Sequence, residues 1–238
     1  MSGTRSGGSL PDGSGGPHVF VDDLSAPLLC DDDHSHLAKS LRVRPGDPIT
    51  ISDGQGSWCP ARFADVPEVT ADPIWVPSLE PQIAIGFVVP KGDRPSWIVQ
   101  KLTELGVDRI IPLHSDHSVV RWDAARRDRN IVKLRRVVRE AGMQSRQVRL
   151  AVVDPVTSVA DLVPARGVAL ADMGGRGPTL QSPTVLIGPE GGWSEAERGL
   201  GAARVSLGAS ILRAETAAVA AGVALTFLRA KLVIEHSA

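Results

Sequence analysis

Residues 185–197 read Val185-Leu186-Ile187-Gly188-Pro189-Glu190-Gly191-Gly192-Trp193-Ser194-Glu195-Ala196-Glu197. An apolar run of strand type leads into a glycine-rich loop, and a helix signal follows at once. Ser194 and Glu197 have the spacing at which a hydroxyl and a carboxylate cap each other's backbone at a helix start. A buried strand, a loop and a helix form the repeating unit of a parallel α/β sheet, and such sheets bind ligands where their strands end. Glycine at 188, 191 and 192 would let backbone approach a ligand closely. The loop fits neither the G-x-G-x-x-G pattern nor a P-loop. Glu190 at its centre would repel a pyrophosphate but tolerate a cationic ligand, such as a sulfonium with an ammonium tail. Taken alone, the loop also reads as a plain strand-to-helix turn.

The same grammar extends in both directions from this loop. Ile83 to Val89 is continuously apolar, as expected of a strand covered on both faces. Pro95 marks a helix start, Trp97, Ile98, Lys101, Leu102 and Leu105 follow helical spacing, and Gly106 stops the helix. Val107 to Leu113 returns as a strand, completing a β-α-β unit and implying parallel pairing. A long helix is predicted over about Asp123 to Gln144. Strands follow at Val148 to Val153 and Gly167 to Ala171, with a short helix between them at Val156 to Leu162. Beyond the strand Thr184 to Ile187 come a helix from Ser194, a strand at Val205 to Leu207 and a helix from Ala214 to Ala230. The expectation is an α/β domain over residues 82–238 with a covered parallel sheet.

Upstream the pattern is different. Val19-Phe20-Val21, Ile49-Thr50-Ile51 and Ala61-Arg62-Phe63 read as short strands. Pro45-Gly46-Asp47, Asp53-Gly54 and Gln55-Gly56 read as turns, with one helix at about Asp33 to Leu41. Residues 17–77 thus suggest a small β-rich barrel or sandwich, followed by a Pro-bounded linker from Pro77 to Pro81. Met1 to Gly16 is rich in Gly and Ser and is expected to be a disordered tail.

The 238 residues carry 26 Lys and Arg against 27 Asp and Glu, for a net charge of −1. RNA affinity would therefore need a local basic patch. One exists: Arg121, Arg126, Arg127, Arg129, Lys133, Arg135, Arg136, Arg139, Arg146 and Arg149 are opposed only by Asp123, Asp128 and Glu140. Such clustering is an electrostatic footprint of nucleic-acid binding, although a solvated helix face would look alike. Cys30 and Cys59 are too few for a disulfide framework and suggest reduced thiols. Cys30, His34 and His36 match no zinc spacing, so no metal is expected. His114 and His117 read as surface residues flanking a strand end. No apolar run approaches the roughly 20 residues of a membrane helix, and the N-terminus has no signal-peptide core. A cytoplasmic protein without membrane partners is the expectation.

A second candidate loop is Leu207-Gly208-Ala209-Ser210-Ile211-Leu212-Arg213-Ala214-Glu215-Thr216-Ala217. Arg213 falls at a helix N-terminus, where a cation is locally unfavourable, so its charge should serve an anionic ligand or a neighbouring carboxylate. An ion pair with Glu215 or Glu190 is the simpler reading.

Together these motifs resemble the RsmE family of bacterial 16S ribosomal RNA methyltransferases, within the SPOUT superfamily. The resemblance rests on Ile187 to Gly192, Leu207-Gly208, Ile211-Leu212-Arg213 and Glu215-Thr216-Ala217, in that order. It extends to Lys91-Gly92-Asp93-Arg94, Gln100-Lys101, Glu104 to Val107, and Glu140 with Gln144-Ser145-Arg146. In the N-terminal part it covers His36-Leu37, Leu41-Arg42-Val43 and Pro45-Gly46-Asp47. The chain departs at Ser210, at Ala151 and near His18, where the family usually has Arg, Pro and Arg or Lys.

The resemblance implies a SPOUT-type trefoil-knotted parallel sheet, a PUA-like RNA-binding barrel and a homodimer. It implies methylation of uridine N3, at position 1498 of the small-subunit RNA, by S-adenosylmethionine. Cofactor contacts would come from Leu170, Ile187, Gly188, Glu190, Gly191, Gly192, Leu207, Gly208, Ile211, Leu212, Thr216 and Ala217. RNA contacts would come from Arg42, Lys91, Arg94, Arg121, Arg135, Arg139 and Arg146. Uracil N3 must lose a proton to become a good nucleophile, so an anion-stabilising cation is needed. Arg213 and Arg146 are the candidates, with Glu190 or Glu215 orienting them. The rival readings are a SPOUT ribose 2′-O-methyltransferase, a non-catalytic RNA-binding or ribosome-assembly protein, and a nucleotide-dependent oxidoreductase.

Overall fold

A computed structural model describes residues 8–233. Two compact units result. One holds the described residues up to Ser78 together with Arg139–Leu150; the other holds Leu79–Val138 and the described residues from Ala151 onward.

The first unit is built on a five-stranded sheet. Strand β1 (His18–Phe20) pairs in parallel with β2 (Pro48–Ser52), which is antiparallel to β3 (Ser57–Arg62). The short β4 (Glu68–Val69) and β5 (Ile74–Trp75) both pair with β3. Between β1 and β2 lie α1 (Asp31–Ser35) and a π-helical turn, His36–Ser40. Alternating inward residues of the strands join Leu37 to form the core: Val19, Val21, Ile49, Ile51, Cys59, Ala61 and Phe63. Met143 packs against that core, which is why the chain from Arg139 belongs here and a linear boundary near Pro77 is insufficient. Both cysteines are free thiols; burial pushes Cys59 up to about 11, so it is inert filler.

The expected disordered tail needs correction. Its residues 1–7 lie outside the described residues, but from Gly8 the chain is tied down. Gly8 N–H donates to Trp75 O (2.9 Å), Trp58 Nε1 donates to Ser9 O (2.9 Å), and Arg146 donates to Gly16 O (2.7 Å). Low hydrophobicity predicts disorder only where the backbone finds no partners.

The second unit is a seven-stranded sheet in which every pairing is parallel. Its strands are β6 (Ala84–Val88), β7 (Arg109–His114), β8 (Val152–Val153), β9 (Thr157–Ser158), β10 (Val168–Arg176), β11 (Thr184–Ile187) and β12 (Ala203–Val205). The order is β12-β10-β11-β6-β7-β8, with β9 also on β7. Every residue of β6 is buried, as a strand with both faces covered requires. The helices are α2 (Arg94–Glu104), α3 (Ala124–Ser145), α4 (Val159–Leu162), α5 (Glu195–Arg198) and α6 (Ala214–Arg229). Gly222 lets α6 close on α2: a methyl there would stand 2.9 Å from Leu102 Cδ2. Several strands differ from expectation: the one expected at Val205 to Leu207 forms at Ala203–Val205, and β9 takes the start of the helix expected at Val156 to Leu162. Val148 to Val153 shrinks to Val152–Val153, because Leu150 N–H turns away to Gly54 O. The strand after Gly167 runs on to Arg176 through an irregularity opposite Val205, and the glycines at 174 and 175 permit it. A methyl at Gly175 would lie 2.6 Å from the Arg204 backbone.

At the edge away from the strand C-termini, Asp108 braces the sheet. Its carboxylate accepts the Ile83 N–H (2.8 Å) and pairs with the Arg229 guanidinium, whose other nitrogen donates to Gly106 O (2.7 Å).

Candidate active site

The C-terminal ends of β10, β11 and β12 enclose a cleft of about 300 Å³. Its walls are Ala171 to Met173, Ile187 to Glu190, Gly192 and Trp193, Val205 to Gly208, and Ser210 to Ala214 with Ala217. Glycine is forced at the closest approach. A methyl on Gly188 would lie 3.0 Å from the Trp193 indole, which is 2% exposed and anchored by an Nε1 bond to Ala171 O (2.9 Å). Gly208, at φ 140°, sits where L side chains are strained.

The predicted capping box is present. Glu197 N–H donates to Ser194 Oγ (3.1 Å), and Ser194 N–H donates to Glu197 Oε2 (2.8 Å). The loop after β7 reinforces it: Ser194 Oγ donates to Asp116 (2.5 Å), Asp116 N–H donates to Glu197 Oε1 (3.1 Å), and His117 Nδ1 lies 3.0 Å from Gly192 O. His117, read from sequence as a surface residue, is exposed and holds the glycine loop.

The charges at the lip are divided unexpectedly. Arg94 Nη1 lies 3.4 Å from Glu190 and its Nε lies 3.7 Å from Glu215. Glu215 Oε2 is buried without a hydrogen-bond partner among the described residues. Arg213, the N-cap of α6, is exposed and has no ion-pair partner among the described residues. The simpler reading of Arg213, a pair with Glu190 or Glu215, is therefore not what forms; Arg94 takes both carboxylates.

Of the expected cofactor contacts, Ile187, Gly188, Glu190, Gly192, Leu207, Gly208, Ile211, Leu212 and Ala217 line the cleft. Leu170 is core, packed beneath it with Leu186 and Trp193. Gly191 faces His117, and Thr216 is exposed on α6 away from the lining. Asp172, Met173, Trp193 and Ser206 were not anticipated as lining. The Gly174-Gly175 pair just after Met173 was a legible sign of close backbone approach in this stretch.

The expected RNA-contact residues scatter. Lys91 and Arg121 are exposed on the second unit. Arg135 is exposed and donates to Val153 O (3.3 Å), and Arg94 is committed as described. In the first unit, Arg42 is exposed with φ 57°. Arg139 is bound into the structure by Asp33 (2.5 Å), Phe20 O (2.9 Å) and the Phe20 ring, 5.5 Å from its centroid. Arg146, also with φ 57°, spends one nitrogen on Gly16 O. It lies in a different unit from Arg213 and Glu190. Among the described residues no cluster of His, Cys, Asp and Glu could hold a metal, and no helix is long and apolar enough to cross a membrane.

The sequence pattern of the RNA methyltransferase domain matches residues 78–226, and that of the RNA methyltransferase PUA domain matches residues 29–71. The chain belongs to the RNA methyltransferase family. Two relatives within it are the ribosomal RNA small subunit methyltransferases E of Mycobacterium bovis and Bacillus subtilis. The first is 31% identical over 84% of this chain and 86% of its own length. The second is 28% identical over 81% and 86%. The crystal structure of ribosomal RNA small subunit methyltransferase E from Neisseria gonorrhoeae, bound to S-adenosyl methionine, superposes with a TM-score of 0.73. That protein is 29% identical over 89% of this chain and 97% of its own. A PUA-like N-terminal domain thus accompanies a parallel-sheet RNA methyltransferase domain.

Proposed function

We propose that this protein transfers a methyl group from S-adenosylmethionine to N3 of a uridine in 16S ribosomal RNA, the decoding-region uridine 1498. The observation that carries the reading is Arg213: a cation at the lip of a glycine-lined cleft, left unpaired because Arg94 holds both nearby carboxylates.

The residues present fit the cofactor. A cleft of about 300 Å³ is in the range for such ligands. Gly188 and Gly208 offer backbone where a side chain would collide or strain. Glu190, on the cleft wall, suits a ligand bearing positive charge. Bound there, the cofactor would supply an electrophilic methyl group. The protein's own part is to expose uracil N3 to that methyl and to stabilise the uracil anion left when the N3 proton passes to water. Arg213 does the second, and the α6 N-terminus behind it adds its partial positive charge. Arg94 holds Glu190 and Glu215 so that neither quenches Arg213. Arg146 is the second anion-stabilising candidate that the family resemblance suggests. Most of the acceleration would come from positioning.

The reading includes a homodimer, a trefoil knot in the sheet unit, a cytoplasmic location, a metal-free reaction and RNA contacts from exposed cations such as Arg42 and Arg135. The test is to incubate small ribosomal subunits lacking the modification with the protein and S-adenosylmethionine, then map reverse-transcriptase stops. A cofactor-dependent stop at one decoding-region uridine is expected, since N3 methylation blocks base pairing. Ribose methylation without that stop would overturn the N3 assignment.

A further inference from the structure

A second cleft, of about 340 Å³, lies over the C-terminal ends of β6 and β7. One wall is the turn after β6, with Lys91; another is Arg121 in the segment after β7; a third is the start of α3, with Arg126, Asn130 and Lys133. Ser96, in the first turn of α2, adds a hydroxyl. The cations are poorly compensated. Lys133 reaches the exposed Asp93 at 3.2 Å, whereas Lys91, Arg121 and Arg126 have no ion-pair partner among the described residues. Nearby, burial first, then the Arg127 and Arg121 charges, lower the His114 imidazole from its ordinary value. Arg127 Nε donates to Trp122 O (3.0 Å), so the segment carrying Arg121 is held in place.

Sheet order sets the location. β6 neighbours β11, whose C-terminal loop carries Gly188 and Glu190, so the basic cleft adjoins the glycine-lined one along a single edge. Converging unpaired cations with amide and hydroxyl donors match the oxygens of a phosphate diester, and Arg supplies the forked geometry.

We propose that this cleft binds a backbone phosphodiester of the RNA strand that carries the methylated base. The assignment rests on the methyltransferase reading and adds the surface along which the strand would run from the target base. Arg126, Asn130 and Lys133 thereby become substrate contacts, beside Lys91 and Arg121.

The test uses the full chain and a decoding-region fragment of 16S RNA. Affinity is measured against salt for the wild type, for Arg121→Gln with Arg126→Gln, and for Lys91→Gln on the opposite wall. Each neutralised contact should lower the slope of log affinity against log salt by about 0.7–0.9, and the double variant should bind about tenfold more weakly at moderate salt. Arg166→Gln, the same charge change as Lys91→Gln but at an exposed loop outside the cleft, should leave the slope unchanged. S-adenosylmethionine affinity, read by calorimetry, should stay constant throughout. Slopes unchanged in both the double and the Lys91 variants would overturn the proposal. So would loss of inorganic-phosphate binding, followed by phosphorus resonance, with RNA affinity intact, since the cleft would then take a small free anion. Failure of the function itself looks different: wild-type protein that neither binds S-adenosylmethionine nor methylates subunits, while the RNA salt slope still responds to the cleft residues.

Discussion

One edge of one sheet carries two clefts of opposite character. Over β10 to β12 the walls are glycine, aliphatic residues and backbone, and the carboxylates at the lip are neutralised by Arg94. Over β6 and β7 the walls are cationic and mostly uncompensated. The central strands β6, β7 and β11 are alike, parallel and largely buried. What differs is the loop that each strand feeds. The sheet thus supplies position, while loop composition decides whether that position suits a compact ligand approached by backbone or a polyanion approached by side chains. Arg94 shows how local the distinction is. It stands three residues after Lys91, yet its charge belongs to the acidic lip of the neighbouring cleft.

The sharpest way to break the comparison is at Arg213. Its replacement by Ala should lower methyl transfer about 10²–10³-fold, the usual effect of losing a preorganised stabiliser of developing negative charge. RNA affinity should hardly change, because the phosphate cleft is elsewhere; single-turnover rates at saturating RNA, beside binding isotherms, separate the two. A comparable loss in binding alone would make Arg213 an RNA contact. Next in size is Asp108→Ala, at the opposite edge of the sheet. It strands the Arg229 guanidinium, which is almost fully buried, and removes the acceptor of Ile83 N–H. Breaking such a pair costs about 3–5 kcal/mol. Denaturant unfolding should register that loss, while both affinities, measured where the variant is folded, remain near wild type. Selective damage to one cleft would mean that they do not share a common platform.

Arg94→Gln asks on which side of the comparison this residue belongs. The pairs it makes are half-exposed, so each contributes little. S-adenosylmethionine affinity should fall by up to about fivefold as the loop at Glu190 loses its tie to α6. The RNA salt slope should not move. A slope reduced by about 0.7–0.9 would return Arg94 to the RNA-contact residues expected from sequence.

These distinctions were unevenly legible. Strand and helix order in the second unit could be read because buried parallel strands are continuous apolar runs, and because Ser194 with Glu197 announces a helix start without tertiary help. The two candidate loops followed from glycine placement, whereas most of the residues found lining the cleft were expected only from the family resemblance. Three things did not follow. Trp193 reads as an ordinary aromatic, but its role beneath Gly188 depends on a bond to Ala171, a residue of another strand. The basic run from Arg121 to Arg149 reads as one patch. The fold instead sends Arg121, Arg126 and Lys133 to a cleft and commits Arg139 to Asp33 and Phe20. The first unit's claim on Arg139–Leu150 is a long-range packing fact, set by residues such as Met143 meeting a core eighty or more positions earlier.

That unit offers a comparison in acid. His18 is buried in β1, with Nε2 3.2 Å from Gln147 O and Nδ1 2.8 Å from Thr50 Oγ1. A carbonyl can only accept, so Nε2 carries the proton and Nδ1 accepts from the threonine hydroxyl. Burial, helped slightly by the Arg146 charge and opposed by the Gln147 carbonyl, lowers this imidazole from 6.5 to about 4. The folded state therefore holds His18 neutral where the unfolded chain would protonate it. Its stability contribution is complete above pH 6.5 and is lost progressively as pH falls toward 4. At about pH 5.5 the loss should be roughly 1 kcal/mol. Denaturant unfolding of wild type and His18→Gln across that window should give a steeper acid slope for wild type, with the variant flatter although less stable at neutral pH. Parallel slopes would mean that His18 is charged in the folded protein, and the Nε2–H to Gln147 arrangement would then need a carboxylate partner that none of the described residues provides.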